Sequence, residues 1–220
     1  MGAKIITPQR SFFELVARAG LPNRFRRHCC NKLKEYKVQG YEKVVMGVRR
    51  AESTKRAQRY KEPTECRWYG SRKNPEKYHI EAIYPILDWE DRDVLDFIID
   101  REIKLNPHYY REDGTIDIKR RVGCIGCPLA TPSSRAESFE KYNKFLVPLA
   151  RAASEYFRSH PDSPIEKRYD GDAYAYLLRN IFFEEQAKWN NFFDGLDIEG
   201  KRPDCKKILE ERFHIQLPTL

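Results

Sequence analysis

The sequence has no apolar run approaching the ~18 residues that a membrane-crossing helix needs, so no transmembrane span is expected. Its first residues, Met1-Gly2-Ala3-Lys4-Ile5-Ile6, lack the apolar stretch of a secretion signal. Position 6 also lacks the Ser or Thr that favours myristoylation. The expectation is a cytoplasmic protein with no membrane partner. Low-complexity segments and internal repeats are missing, which argues against a linker or a solenoid. An acidic excess is missing too: 33 Asp plus Glu face 41 Lys plus Arg, a formal charge of +8. Such a surface attracts polyanions, nucleic acid and nucleotides alike.

What is present suits a folded chain. Its 220 residues suffice for a core, and aromatics at 13 % can anchor one. Ser11 to Ala19 reads as a helix, with Ser11 as cap, Glu14 at the capping-box position and Gly20 as stop. Arg24 to Tyr36 is helical in pattern. Lys43 to Val48 reads as a short buried strand and His79 to Tyr84 as a second. Arg59 to Lys77 is polar and turn-rich, the composition of a surface loop, and Asn106 to Arg121 is irregular. Trp89 to Asp100 is an amphipathic helix; further helices are expected near 134–159, 171–194 and 206–213. Strands followed by helices indicate an α/β fold, although two strands are few for a doubly wound sheet.

Six cysteines occur: Cys29, Cys30, Cys66, Cys124, Cys127 and Cys205. In a reducing compartment they are thiols or ligands, not structural disulfides. Cys124 and Cys127 flank a glycine in a loop, and Cys29-Cys30 sits among Arg24, Arg26, Arg27, Lys32 and Lys34. Such cations are expected to lower thiol pKa. Three readings stay open for the two pairs. Zinc needs all its sulfurs about 2.3 Å from one ion, awkward for adjacent residues on a helix. A 4Fe–4S cluster is larger, and each thiolate binds its own iron. Thiols can also pack as small hydrophobes or act in redox exchange. Cys66 and Cys205 have no pairing partner in the pattern.

A second motif, Gly47-Val48-Arg49-Arg50-Ala51-Glu52-Ser53-X-X-Arg56, follows the first strand. Turns at the carboxyl ends of strands are where α/β proteins bind ligands. Arg49, Arg50 and Arg56 supply donors suited to phosphate or sulfate. Glu52 can orient an arginine, and Ser53 can donate to an oxyanion. A charged, capped surface helix is the plainer account of the same residues.

Taken in order, Arg27-His28-Cys29-Cys30-X-X-X-Lys34, the arginine motif, Pro85-Ile86-Leu87-Asp88-Trp89-X-X-X-Asp93-Val94, Asn106-Pro107-X-Tyr109 and Gly123-Cys124-X-X-Cys127-Pro128 form a series. It resembles the sulfonucleotide reductase family, the phosphoadenosine phosphosulfate and adenosine phosphosulfate reductases with their PP-loop relatives, over residues 5–130. The resemblance implies a partial Rossmann-like, adenine-nucleotide α-hydrolase-like domain over 1–130, followed by a helical extension over 131–220. It implies a 4Fe–4S cluster on Cys29, Cys30, Cys124 and Cys127, with zinc as the alternative. Lys34 would lie between cluster and substrate, and Arg49 and Arg56 would face the phosphosulfate. The implied activity is reduction of a sulfonucleotide to sulfite, with a thioredoxin-like reductant. The family's Ser-Gly-Gly-X-Asp-Ser PP-loop has no counterpart, since the sequence contains no Gly-Gly pair. The likeness is thus to the carboxyl-terminal part of the family domain, and three accounts stay open: a PP-loop partner chain supplies the first half, the chain is truncated, or it no longer catalyses. The family's late Glu-Cys-Gly motif is missing as well; Cys205, in Pro203-Asp204-Cys205-Lys206, is a weak candidate nucleophile. Two alternatives follow: ATP-dependent sulfur insertion into nucleic acid, as in thiolation or phosphorothioation, and a non-catalytic subunit that holds a cluster.

Overall fold

The computed structural model describes residues 7–34, 41–68, 79–120, 123–181 and 204–220. The chain divides into two compact units, residues 1–34 with 124–220, and residues 35–123. The N-terminal segment therefore belongs with the C-terminal helices, whereas the sequence places its boundary at 130. No helix among the described residues is long and apolar enough to cross a membrane.

The first unit is helical. Helix α1 (Phe12–Ala19) is capped as its sequence predicts: the Glu14 amide donates to Ser11 Oγ, and the Ser11 amide donates to the Glu14 carboxylate. These bonds hold the Glu14 carboxyl below its usual pKa. Val16 is buried in the core of this unit. The helix expected over 134–159 is two, α5 (Pro132–Lys141) and α6 (Leu146–Ser159), joined by a 3-10 turn at Asn143–Phe145. The break has a cause in Pro148, which cannot donate to residue 144 and whose ring clashes with that carbonyl in a continuous helix. The turn also lets Asn143 Nδ2 donate to the Phe213 carbonyl at 3.0 Å.

The Ser163-Pro164 cap starts a helix that periodicity alone misses, α7 (Pro164–Tyr169), with the Glu166 amide donating to Ser163 Oγ. Helix α8 (Ala173–Ile181) follows; the rest of the helix expected over 171–194 lies outside the described residues, as does the Tyr36 end of the helix expected from Arg24. Helix α9 (Cys205–Phe213) begins one residue before its predicted start, capped by Asp204. Phe139, Leu146, Leu149, Leu177, Leu178, Leu209 and Phe213 fill one core, and Ala150 and Ala153 are buried with them.

Tyr176 ties α8 to the end of α1: the Leu21 amide donates to its hydroxyl at 2.8 Å, both groups buried. Burial pushes the Tyr176 hydroxyl up to about 12. The raised pKa stabilises the fold below about pH 10, and that contribution is lost as pH climbs through about 12. Tyr176→Phe is expected to lower neutral-pH stability by about 1 kcal/mol, because the Leu21 N–H is left unpaired. It should also flatten the alkaline loss. Urea midpoints measured from pH 7 to pH 12 check both.

Among the described residues the second unit carries a small mixed sheet of three strands, β1 (Lys43–Val45), β2 (Thr64–Trp68) and β3 (His79–Ile83), in the order β1-β3-β2. Strand β1 runs parallel to β3, pairing Val44 with Ala82, and β2 runs antiparallel to it, pairing Cys66 with Glu81. The α/β class is as expected. Two details differ. The strand expected over Lys43–Val48 spans three residues at a sheet edge, where Val45 is 68 % exposed. The buried residue is Val48, beyond the strand, packed with Ala82, Tyr84 and Leu87. Strand β2 lies inside the stretch read as a loop, because Thr-Glu-Cys-Arg-Trp has too few apolar residues to signal a strand, and its pairing to β3 decides its conformation. The remainder of that stretch, 69–77, lies outside the described residues. Helix α3 (Thr54–Arg59) follows a 3-10 turn at Arg50–Glu52, and α4 (Asp91–Asp100) begins at a capping box of Glu90 with Asp93.

Candidate functional site

The arginine motif follows the carboxyl end of β1, as its sequence implies. All three guanidinium groups are engaged. Arg49 donates to Asp91 Oδ1 at 2.9 Å and to the Trp89 carbonyl at 3.3 Å, and its side chain is only 12 % exposed. Arg50 donates to Asp88 and to the Tyr60 and Lys61 carbonyls, while its amide donates to the Leu87 carbonyl at 2.9 Å. Arg56 pairs with Glu52, so Glu52 does orient an arginine. Ser53 caps α3 by accepting from the Arg56 amide at 3.3 Å. The arginine motif and the Pro85–Trp89 motif, read separately in the sequence, thus hold one another. Arg50 and Arg56 keep about a third of their side chains in solvent (34 % and 35 %), whereas Arg49 is a buried support. Asp88 and Asp91, the carboxylates that position Arg50 and Arg49, were invisible as partners in the sequence because the pairing spans about 40 residues.

The thiols lie in the helical unit. Cys29 and Cys30 sit on the short helix α2 (His28–Leu33), and Cys124 and Cys127 bracket a turn in which the Cys127 amide donates to the Cys124 carbonyl at 3.2 Å. Gly126 has a φ of +65°, and a Cβ there would lie 2.5 Å from the Phe139 ring. Its amide donates to Ser138 Oγ at 3.1 Å, which anchors the turn on α5. Arg24 Nε donates to the Pro128 carbonyl at 3.2 Å, linking the segment before Cys29 to the one after Cys127.

The two pairs interact. Burial, then Cys30 and Cys127, pushes the Cys29 thiol up to about 11. This reverses the expectation that surrounding cations make it a thiolate: burial and neighbouring sulfurs outweigh them. Lys34 is raised because its ammonium donates to Cys124 and lies near Cys30 and Cys127. Beside the thiols, both His28 ring nitrogens are buried and have no hydrogen-bond partner among the described residues, and burial lowers the His28 pKa. Among the described residues no three His, Cys, Asp or Glu side chains are arranged to hold a single metal ion. Cys205 is buried in the α9 core at 3 % exposure, a packing position that keeps its sulfur from solvent, and Cys66 is exposed on β2.

A family model described as the phosphoadenosine phosphosulfate reductase domain matches residues 2–130. No match was found among curated proteins or among solved structures. The match spans the arginine loop and Cys29, Cys30, Cys124 and Cys127. With more than half of its length matched, the chain belongs to the phosphoadenosine phosphosulfate reductase family.

Proposed function

We propose that this protein binds an adenylated sulfur or phosphate compound, of the phosphoadenosine phosphosulfate or adenosine phosphosulfate type, and carries a 4Fe–4S cluster on Cys29, Cys30, Cys124 and Cys127. The observation that carries this reading is that, in a member of this family, Cys29 is within electrostatic reach of Cys30 and Cys127, and Lys34 within reach of Cys124, Cys30 and Cys127. Adjacent cysteines on one helix, as Cys29 and Cys30 are on α2, diverge in direction, which suits a body in which each sulfur binds a separate iron better than it suits zinc. Loading such a group displaces the thiol protons, so affinity should rise with pH. When bound, a cluster supplies fixed charge and redox capacity.

The chain's own residues would do the rest. Arg50 and Arg56 offer partly exposed guanidinium donors to an anion, Ser53 its hydroxyl proton, and Glu52 and Arg49 hold the loop in shape. On the same reading, β1 and β3 are parallel strands of a Rossmann-like nucleotide-binding sheet. Reduction of a sulfonucleotide to sulfite takes two electrons, supplied by a thioredoxin-like dithiol, and a thiolate to attack sulfur. The burial of Cys205 speaks against that thiolate being Cys205. The same burial favours, as a second reading, ATP-dependent sulfur insertion, which does not require this thiol.

The test is iron and acid-labile sulfide per chain, with an absorption spectrum, on protein purified without oxygen. About four of each are expected, lost in Cys29→Ser and in Cys127→Ser. Zinc, or no metal, would overturn the cluster. Calorimetric titration with adenosine phosphosulfate, and with ATP for the second reading, separates the two; Arg56→Ala should weaken either by about tenfold.

A further inference from the structure

The segment between α1 and α2 carries a surface feature that sulfonucleotide binding does not use. Phe25 is 97 % exposed, the most exposed of the large hydrophobic side chains among the described residues. Its position is determined by a tight turn. Asn23 Oδ1 accepts from the Phe25 amide at 2.9 Å and from the Arg26 amide at 2.8 Å. The Asn23 amide donates to the Arg26 carbonyl at 3.3 Å and closes the turn. The ring is therefore displayed on an ordered tip.

The charge around it has one sign. From Leu15 through Lys34 there is no carboxylate, while Arg18, Arg24, Arg26, Arg27, Lys32 and Lys34 are cationic. Arg24, Arg26 and Arg27 are exposed and have no carboxylate partner among the described residues. Arg24 Nε binds the Pro128 carbonyl, which brings in the segment 123–136, also free of carboxylates and carrying the half-exposed Leu129.

We propose that the Asn23–Arg27 turn is a docking surface for single-stranded nucleic acid, with a base stacked on Phe25 and phosphates on Arg26 and Arg27. An exposed phenyl ring costs hydration unless an apolar face covers it, and cations on both sides demand an anionic partner. Unpaired nucleotides supply a π-face and a phosphate on every residue, whereas a duplex hides its faces in the stack. An acidic polypeptide would satisfy the arginines but brings an aromatic face only by chance. The inference rests on the surface of the helical unit and does not depend on the thiols holding a cluster.

The test is fluorescence anisotropy of the full chain with a labelled 20-nucleotide oligothymidine, the matching duplex and polyglutamate over a salt series. The single strand is expected to bind more tightly than the duplex. Phe25→Ala should weaken it by about tenfold with the circular dichroism unchanged, since the ring is in solvent. Arg27→Ala should reduce the slope of log K against log salt by about 0.7. Lack of binding to the strand at low salt, equal affinity of Phe25→Ala and the parent, or polyglutamate binding that depends equally on Phe25 would each overturn the proposal. Iron content is measured on the same samples, so loss of the cluster reading leaves this result interpretable.

Discussion

Gly126→Ala is expected to destabilise the protein by about 2–5 kcal/mol, the largest single effect among the substitutions considered. Two costs add. The left-handed backbone at φ +65° costs a non-glycine residue roughly 1–2 kcal/mol. The new Cβ would also sit 2.5 Å from Cε2 and 2.7 Å from Cζ of Phe139. That ring cannot step aside cheaply. It is 1 % exposed and packs against Phe145 and Phe213, so its movement disturbs the turn before α6 and the end of α9 together. Overpacking of this kind costs about 1–3 kcal/mol more. Urea unfolding of metal-free protein measures the loss. Gly123→Ala is the control: a Cβ there meets nothing within 4 Å, and its stability should be near that of the parent. Equal stability of the two variants would show that the Cys124–Cys127 turn is not held against α5 as described.

Arg49→Ala is expected to cost about 2 kcal/mol and to loosen the start of α4. The guanidinium is mostly buried and carries two bonds, one to Asp91 and one to the Trp89 carbonyl. Its removal strands the carbonyl. Asp91 suffers less, because it is 44 % exposed and water can replace the arginine there. Arg49→Lys should recover only part of the loss, since a lysine keeps the charge but not the planar fork that spans both acceptors. Hydrogen exchange at the amides of α4 (Asp91–Asp100) locates the effect, and urea midpoints give its size. If Arg49→Ala were as stable as the parent but failed to bind nucleotide, Arg49 would contact the anion directly and would not act as a support.

These two positions differ in how well they could be read beforehand. Gly126 stands between two cysteines, so a tight turn was legible; that it must be glycine depends on Phe139, thirteen residues on and in another element. Arg49 was legible as an anion-binding candidate because arginines after a strand suit phosphate. Its burial against Asp91 was not legible, since the two segments meet only when the sheet forms. The acidity of Cys29 shows the same limit. Counting neighbouring cations along the chain predicts a thiolate, but Coulomb forces from exposed charges are screened, and burial beside two other sulfurs prevails.

By itself, then, the sequence determined the features set by local forces and by residue order. These are the capped first helix, the start of α9 near Asp204, the α/β class, the turn between Cys124 and Cys127, and the succession of motifs that the family match over 2–130 bears out. Tertiary structure decided the rest. It divided the chain at 34 and 124, put Val48 instead of Val45 in the interior, and made a strand of Thr64–Trp68. It also set Cys29 within electrostatic reach of Cys127 and Lys34 within reach of Cys124, while burying Cys205 among apolar side chains. Capping and helical periodicity are written within a few residues of each other. Burial, edge position and the company of distant charges depend on what packs against a segment, and no local pattern carries that information.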